Sequence, residues 1–288
     1  MELKLITQRS GRLSSFLQGE LQMSGGLINK LKWGEEIRVN GIPQRTNYPV
    51  VPGDVITVCL DEQTPEYPPQ DGPLTILYED DHLLAVDKPA GMLIHPSRAK
   101  NEGTLANFVF GYYRRSGQSS AFHPMTRLDR DTFGIVLLAK NAHVHALLQQ
   151  CPLRKTYHAL VLRGPEEDSG TIDAPIARKP LPSLLREVNP EGKPSVTEYR
   201  VLQRKSGLCK LALHPITGRT HQLRLHCAHM GWPILGDPQY GSPESLQKSG
   251  ELGLFTQQLC AKQLEFTHPI TGETLVLEST MDARCREL

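Results

Sequence analysis

A run near the middle of the chain mixes charged and apolar residues and then becomes entirely apolar. Its first part reads Met125-Thr126-Arg127-Leu128-Asp129-Arg130-Asp131-Thr132-Phe133-Gly134. The next residues, 135–139, are all apolar and predict a buried strand. A carboxylate flanked by two arginines at the mouth of such a strand is costly to remove from water. The segment therefore indicates a functional site centred on Asp129.

Three motifs resemble a single family. The pattern Arg-Leu-Asp-x-x-Thr-x-Gly at residues 127–134 resembles the central motif of the RluA/RluD branch of pseudouridine synthases, with Asp129 at the position of that family's catalytic aspartate. Two further runs match the same family, Lys155-Thr156-Tyr157 and Gly218-Arg219-Thr220-His221-Gln222-Leu223-Arg224-Leu225-His226. With shorter matches at residues 88–91, 192–199 and 236–241, the resemblance covers essentially all of residues 75–288. The chain departs from the family at two positions, where Thr126 replaces the usual His and Phe133 the usual Ser.

The resemblance implies an RNA pseudouridine synthase that needs no cofactor and no metal ion. Such an enzyme flips a uridine out of the RNA, detaches the uracil, rotates it and rejoins it through carbon. Asp129 would either attack or deprotonate the nucleotide at the sugar. Arg224 would keep that carboxylate ionised, and Tyr157 would stack on the extruded base.

Other residues of these motifs are expected to bind RNA or to line the base site. Arg127 would either fill the gap left by the flipped base or clamp its phosphate, and Leu223 would form an apolar wall opposite Tyr157. The remaining expected RNA contacts are Arg219, His221, Gln222, Arg130 and Lys155.

The segment around Arg224 predicts a helix of about ten residues that starts at an N-cap, Thr220, and stops at Gly231. Leu223, Cys227 and Met230 would form its core-facing stripe. The same segment has the composition of a metal site, with His221, His226, Cys227 and His229. Their spacing does not place three ligands on one helical face in a recognised pattern, so no metal site is predicted.

Cysteine usage and hydropathy bound the location of the protein. The six cysteines are scattered and form no Cys-x-x-Cys pair, which indicates a reducing compartment. The N-terminus lacks the apolar region of a secretory signal, and no apolar stretch approaches the roughly 20 residues of a membrane span. We therefore expect a cytoplasmic protein that has no membrane partner.

Positive charge is concentrated in one stretch, although the formal net charge of the chain is only +1. Residues 105–163 contain eight basic residues against two acidic ones. The basic residues are Arg114, Arg115, Arg127, Arg130, Lys140, Arg154, Lys155 and Arg163. Such a local excess attracts phosphate backbones, so phosphate contacts are predicted mainly from Arg114, Arg115, Arg130, Arg154 and Lys155. A solvated basic face that binds no RNA is the alternative.

An acidic, proline-rich segment at residues 61–73 predicts a linker between two domains. Residues 1–60 show two helical patterns followed by two strands, and this unit resembles the alpha-L RNA-binding module of small-subunit ribosomal proteins. That module usually carries Ser-Arg before its second helix, whereas this chain has Ser24-Gly25-Gly26. The missing arginine predicts weaker RNA contact by this module.

Residues 74–288 form the expected catalytic domain. Strands outnumber helices there and are not separated by regular crossover helices, which predicts an α+β fold with a mixed, largely antiparallel sheet. A short repeat, His-Pro-Ile-Thr-Gly at residues 214–218 and 268–272, predicts two similar hairpins.

Two other functions stay open at the level of sequence. A non-catalytic RNA-binding protein, for example a ribosome-assembly factor, could use the same scaffold, but it would have no use for a buried charge pair. A glycosidic-bond hydrolase would need a second carboxylate across the pocket, and Asp131 lies only two positions from Asp129. For a pseudouridine synthase we expect a monomer that acts on large-subunit ribosomal RNA, with transfer RNA as the alternative.

Overall fold

The computed structural model describes residues 2–60, 67–97, 100–180, 182–183 and 185–284. Residues 2–60 form the first unit of the fold. Its elements in chain order are β1 (Glu2–Ile6), β2 (Gly11–Arg12), α1 (Leu13–Gln18), α2 (Gly25–Leu31), β3 (Ile37–Val39), β4 (Ile42–Pro43), β5 (Pro49–Val50) and β6 (Val55–Cys59).

Both helices of this unit share one apolar core with the sheet β1-β6-β3-β4. Asn40 and Gly41 connect β3 to β4 with φ angles of 52° and 80°, the left-handed pair that a two-residue hairpin requires. Ser24 caps α2, because its hydroxyl accepts a hydrogen bond of 3.2 Å from the backbone N–H of Leu27. The two helices and the strands β3 and β6 match the pattern predicted from the sequence, and β1, β2, β4 and β5 are additional strands.

The second unit begins at residue 67. Its strands are β7 (Thr75–Glu79), β8 (Leu83–Lys88), β9 (His123–Pro124), β10 (Phe133–Ala139), β11 (Arg154–Leu162), β12 (Ser169–Asp173), β13 (Ile176–Arg178), β14 (Arg186–Val188), β15 (Val196–Lys205), β16 (Leu208–Pro215), β17 (Leu259–Thr267) and β18 (Thr274–Glu278). Its helices are α3 (Leu105–Arg115), α4 (Ala142–Leu148), α5 (Gln222–His229) and α6 (Pro243–Glu251).

A ten-stranded sheet organises this unit, in the order β12-β15-β16-β11-β17-β10-β8-β7, with β18 beside β17 and β9 beside β10. Among the described residues, its strands pair antiparallel except at one contact, between β10 and β17. The predicted α+β fold with a largely antiparallel mixed sheet is confirmed.

The parallel contact joins the two halves of the sheet. It is short, with Phe133 opposite Cys260 and Gly134 opposite Ala261. A Cβ atom at Gly134 would lie 2.8 Å from the backbone nitrogen of Ala261 and closer still to its carbonyl oxygen. Since Gly134 also has a φ of 105°, only glycine fits this position without strain.

The helix predicted around Arg224 is shorter than expected. It begins at Gln222, because His221 has a left-handed φ of 58° and therefore precedes the helix. The N-cap assigned to Thr220 is wrong. Gly231, with a φ of 83°, follows the end of the helix as predicted, but Met230 is 45% exposed and is not part of the core stripe.

The two copies of the short repeat take different structures. Residues 268–272 join β17 to β18 and form the predicted hairpin turn. Residues 214–218 instead end β16 and lead into α5, so the prediction of a second hairpin is wrong. Identical turn residues do not determine the next element of the chain, which depends on whether the segment after the turn can pair with the strand before it.

Part of the segment predicted as a linker packs against the second unit. The Tyr67 ring lies 6.3 Å from that of Phe110 on α3, and the side chain of Asn107 donates to the carbonyl oxygen of Pro68 at 2.9 Å. Residues 61–66 lie outside the described residues. None of the described helices combines the length and the apolar character needed to cross a bilayer.

Candidate active site

A cleft of about 600 Å³ lies beside the contact between β10 and β17. Three segments form its walls: the loop before β10, the start of β11, and the segment between β16 and α5. Of the ten predicted site residues, all except Arg130 line it, namely Asp129, Tyr157, Arg224, Arg127, Leu223, Arg219, His221, Gln222 and Lys155.

Backbone pairing beside β10 positions Asp129. Strand β9 runs antiparallel to the end of β10, and the hydroxyl of Thr126 then accepts from the backbone N–H of Leu137 at 3.2 Å. Thr126 thus extends the pairing although it departs from the family motif. The chain must next turn to enter β10, and Asp129 lies in this turn, ahead of the strand.

Arg224 holds Asp129 from α5. Its Nη1 donates to Oδ2 of Asp129 at 3.0 Å, while Nε and Nη2 donate to the two carboxylate oxygens of Asp237 at 2.7 and 2.8 Å. Arg224 is 5% exposed, Asp237 1% and Asp129 29%. Asp237 therefore anchors the guanidinium from the protein side, and the more exposed carboxylate of Asp129 faces the cleft.

One oxygen of Asp129 is left free by this arrangement. Oδ1 accepts no hydrogen bond from the described residues, and Nε2 of His221 lies 3.8 Å from it. A carboxylate with one oxygen bound to an arginine and the other open to a cleft can act on a bound ligand as a nucleophile or as a base.

The protonation of His221 depends on its neighbours. The hydroxyl of Tyr240 accepts from the backbone N–H of Arg186 at 3.0 Å, so its own hydrogen is available to Nδ1 of His221, 2.9 Å away. Burial lowers the pKa of His221 below its ordinary value, although Asp129 partly opposes this shift. A neutral imidazole that accepts at Nδ1 carries its hydrogen on Nε2, which faces Asp129.

Tyr157 provides an aromatic wall of the cleft. It lies on β11 opposite Ala261, next to an irregularity in the pairing with β17, and it packs against two apolar cores. Burial raises the pKa of its phenol, and the charge of Asp129 raises it further, so the ring is neutral at pH 7. Leu223, 7% exposed, adds an apolar surface from α5.

Comparisons with known proteins identify a family for this chain. The family model described as RNA pseudouridylate synthase matches residues 82–229. The chain belongs to this family. Similar proteins include the uncharacterized RNA pseudouridine synthase YjbO of Bacillus subtilis, 35% identical over 264 residues that cover 89% of this chain and 91% of that protein. Ribosomal large subunit pseudouridine synthase D of Xanthomonas campestris is 39% identical over 230 residues, 76% of this chain and 69% of its own.

A solved structure, human RNA pseudouridylate synthase domain containing 1, has the same fold in its matching part. The TM-score is 0.61 at 26% identity, covering 75% of this chain and 86% of the human one. This protein is therefore an RNA pseudouridine synthase related to the RluA/RluD branch, and RNA is its substrate.

Lys88 supports the active-site loop of this pseudouridine synthase and was not predicted as a site residue. Its fully buried ammonium group donates to the carbonyl oxygens of Pro89, Met92 and Arg130, each at 2.9 Å. Burial lowers the pKa of Lys88 to about 8. Since Arg130 follows Asp129 directly, Lys88 fixes the backbone on which the catalytic candidate stands. The sequence signal that could have identified Lys88 is its position in the short family match at residues 88–91.

Gln222 shapes the cleft wall and has no group left for RNA. Its oxygen accepts from the Thr217 hydroxyl and from the Arg219 backbone, at 2.8 and 2.9 Å. Its amide nitrogen donates to Val196 and Thr197, at 2.9 and 3.0 Å. All its hydrogen-bonding capacity is used within the protein, so the predicted RNA contact is corrected to a structural role.

The residues suspected as metal ligands do not converge. His226 is fully buried and bonds to the Thr197 hydroxyl and the Ala174 carbonyl oxygen, at 2.9 and 3.0 Å. Among the described residues, no group of three or more His, Cys, Asp or Glu side chains could hold a metal ion.

Most basic residues of the stretch 105–163 have acidic partners, which lowers the net positive charge there, and its role in RNA binding stays a prediction. Six of its eight basic residues form ion pairs, and four of the five acidic partners lie outside the stretch. The pairs are Arg114 and Arg115 with Asp71, Arg130 with Asp131, Lys140 with Glu79, Arg154 with Glu265, and Arg163 with Glu244. Arg127 and Lys155, which line the cleft, form no ion pair with described residues.

Proposed function

We propose that this pseudouridine synthase modifies a uridine of large-subunit ribosomal RNA. The support is its likeness to ribosomal large subunit pseudouridine synthase D, 39% identical over most of both chains. Transfer RNA is the alternative substrate, since the cleft itself selects for a nucleotide and not for a class of RNA.

In the proposed reaction the target nucleotide is flipped into the cleft and its base stacks on Tyr157. Arg224 binds and orients Asp129, and the free Oδ1 acts on the sugar, either as a nucleophile or as a base. The bond between the sugar and the uracil nitrogen breaks, the uracil rotates, and a bond forms between the sugar carbon and a ring carbon of uracil. That ring carbon then loses its proton, and the freed nitrogen gains one. Atoms and electrons balance within the nucleotide, so the isomerisation consumes no co-reactant.

The observation that carries this proposal is the half-bound carboxylate of Asp129 beside the neutral ring of Tyr157. Among the described residues that line the cleft, Asp129 is the sole acidic side chain. A hydrolase that splits glycosidic bonds by the usual pair of carboxylates would need a second one. Asp131 is held by Arg130, with 2.9 Å between Oδ2 and Nη2, and does not line the cleft.

Mapping pseudouridines in total RNA from a deletion strain and its parent identifies the substrate. We expect one or more sites of large-subunit ribosomal RNA to lose the modification. Loss confined to transfer RNA would replace the proposed substrate, and no loss anywhere would contradict the proposal.

The role of Asp129 is tested by Asp129→Asn in the purified protein. The amide keeps the shape of the side chain but cannot serve as an ionised nucleophile or base, so we expect isomerisation to vanish while RNA affinity stays within a few fold. Asp131→Asn is the matched control and should remain active, because Asp131 lies outside the cleft. Measurable turnover by pure Asp129→Asn would refute the assignment.

A further inference from the structure

A second groove adjoins the active cleft and has no assigned role. Its volume is about 510 Å³, and it shares Gly218, Arg219 and Thr220 with the active cleft. Its other walls are the hairpin of β13 and β14 and the turn at residues 191–193. A strand of RNA that leaves the cleft over residues 218–220 would enter this groove.

The charge of the groove suits a polyanion. Four cationic side chains line it, Arg178, Arg186, Lys193 and Arg219, against one carboxylate, that of Glu191. None of the four cations forms an ion pair with any described residue, whereas the arginines of the 105–163 stretch are mostly paired. Apart from Arg127 and Lys155 in the cleft itself, the unpaired positive charge beside the active site therefore lies in this groove.

Two of these arginines face each other across the hairpin. Arg178 on β13 is directly opposite Arg186 on β14 in the strand register. Like charges at directly opposed positions destabilise a strand pair. The hairpin has three residues in each strand, so it can tolerate little repulsion. An anion bound between the two guanidinium groups would remove this cost.

The groove is held in place relative to Asp129. The backbone N–H of Arg186 donates to the hydroxyl of Tyr240 at 3.0 Å, and the Tyr240 ring lies 5.1 Å from the guanidinium of Arg224. On the other side, Ile176 and Lys193 exchange two backbone hydrogen bonds of 3.0 and 2.9 Å. A Cβ at Gly192 would lie 2.5 Å from the carbonyl carbon of Ile176, so glycine permits this close approach.

We propose that this groove binds backbone phosphates of the single-stranded RNA that flanks the target uridine. The inference rests on the activity of the active cleft on RNA and does not depend on which RNA is modified. RNA is favoured over an acidic protein partner, because the groove is continuous with the cleft that receives the target nucleotide.

The test compares the full-length parent with the double variant Arg178→Gln, Arg186→Gln. The probe is a synthetic stem–loop RNA that contains the mapped uridine and has single-stranded flanks, together with the same RNA from which each flank is removed in turn. Binding is measured across a range of salt concentrations. We expect the double variant to lower the slope of log K against log salt by about 1.4, since each phosphate contact on a single strand contributes roughly 0.7.

The flank deletions locate the effect. We expect the parent and the double variant to bind equally once the relevant flank is gone. Deleting that flank removes the same phosphate contacts that the two substitutions remove. A loss of affinity that is equal with and without the flanks would overturn the proposal, and so would an unchanged salt slope. Binding of an acidic peptide but not of the flanked RNA would assign the groove to a protein partner and overturn it as well.

The matched control is Arg200→Gln, Lys205→Gln, which removes two exposed cations of β15. Its salt slope should equal that of the parent. The double variant should fold at least as stably as the parent in thermal unfolding, since it removes a like-charge pair. Because binding is measured without turnover, failure of the ribosomal RNA assignment changes the choice of RNA and leaves this comparison valid.

Discussion

Single side chains of this pseudouridine synthase have several partners at once, and Arg224 is the clearest case. It joins Asp129, Asp237 and Gln239 through four hydrogen bonds of 2.7 to 3.0 Å. Removing the arginine would leave the carboxylate of Asp237, which is 1% exposed, without its ion-pair partner. Such a loss destabilises proteins by about 3–5 kcal/mol, so alanine is a poor probe of catalysis at this position.

Arg224→Lys separates charge from geometry. A lysine keeps the positive charge but cannot bind Asp237 in a fork and Asp129 at the same time. We expect isomerisation to slow by about two orders of magnitude, in the range found when one fixed donor to a reacting group is lost. Arg163→Lys is the control, an exposed arginine that binds both oxygens of Glu244 at 2.7 Å. A rate within a few fold of the parent for Arg224→Lys would show that the fork is dispensable.

The pH dependence of the reaction should reflect His221. Its pKa is lowered by burial, so the folded state binds fewer protons than the unfolded state below the ordinary value of about 6.5. The contribution of His221 to the free energy of unfolding is therefore present at neutral pH and is lost as the pH falls through the lowered pKa. The Tyr240–His221 hydrogen bond is lost over the same range. A protonated Nδ1 can no longer accept from Tyr240.

Tyr240→Phe tests this link. Without the hydroxyl that donates to Nδ1, the neutral imidazole loses a hydrogen bond, and the acidic limb of the rate profile should move to higher pH. His221→Gln should remove the contribution of the histidine to that limb. Rate profiles of the parent and both variants that superimpose would exclude His221 as the titrating group.

At the scale of elements, the site depends on the short parallel contact between β10 and β17. Strand β17 pairs with β10 on one side and with β11, which carries Tyr157, on the other, so the loop before β10 that carries Asp129 lies one strand away from β11. Gly134 permits it, because a side chain there would meet the backbone of Ala261.

Gly134→Ala should open this contact. We expect a loss of stability of about 2–4 kcal/mol, from the left-handed backbone and the clash together. Gly207→Ala is the matched control, since Gly207 also has a left-handed φ, 73°, but open space around it. It should lose only about 1–2 kcal/mol, the cost of the backbone alone. Equal losses in chemical denaturation would show that strand approach at Gly134 is unimportant.

Across the whole molecule, the active-site unit includes residues that resemble a linker in sequence. The backbone N–H of Gly103 donates to the side chain of Gln70 at 2.7 Å, and that of Gln70 donates to the carbonyl oxygen of Asn107 at 2.9 Å. A fragment that begins at Leu74 would lose these contacts with α3. A functional fragment should therefore begin at Tyr67 and not at residue 74, where the sequence places the start of the catalytic domain.

A fragment of residues 67–288 should isomerise a short RNA and keep most of the salt dependence of binding, since the unpaired cations line the cleft and the neighbouring groove. Residues 1–60 would then add affinity for a larger RNA through their tether. Comparing the salt dependence of RNA binding by the fragment and by the full chain measures how the phosphate contacts are shared between residues 1–60 and the fragment. A folded fragment that has lost most of its slope would make residues 1–60 the principal RNA-binding part.

Short motifs determined much of the site and of the secondary structure. Asp129, Tyr157 and Arg224 are recognisable because each stands in a contiguous pattern, and β10 is predicted by the apolar run at residues 135–139. Turn residues set local backbone angles, as at Asn40-Gly41, but not the element that follows, since the repeat at residues 214–218 leads into α5.

Only the tertiary structure decided which charges are free and which elements meet. Arg115 is neutralised by Asp71, and Arg154 by Glu265, partners far away in sequence. Spatial proximity governs electrostatic pairing, so a count along one stretch overestimated the field there. The parallel contact at Gly134 and the opposition of Arg178 to Arg186 are likewise invisible locally, because strand partners and register are set by long-range packing.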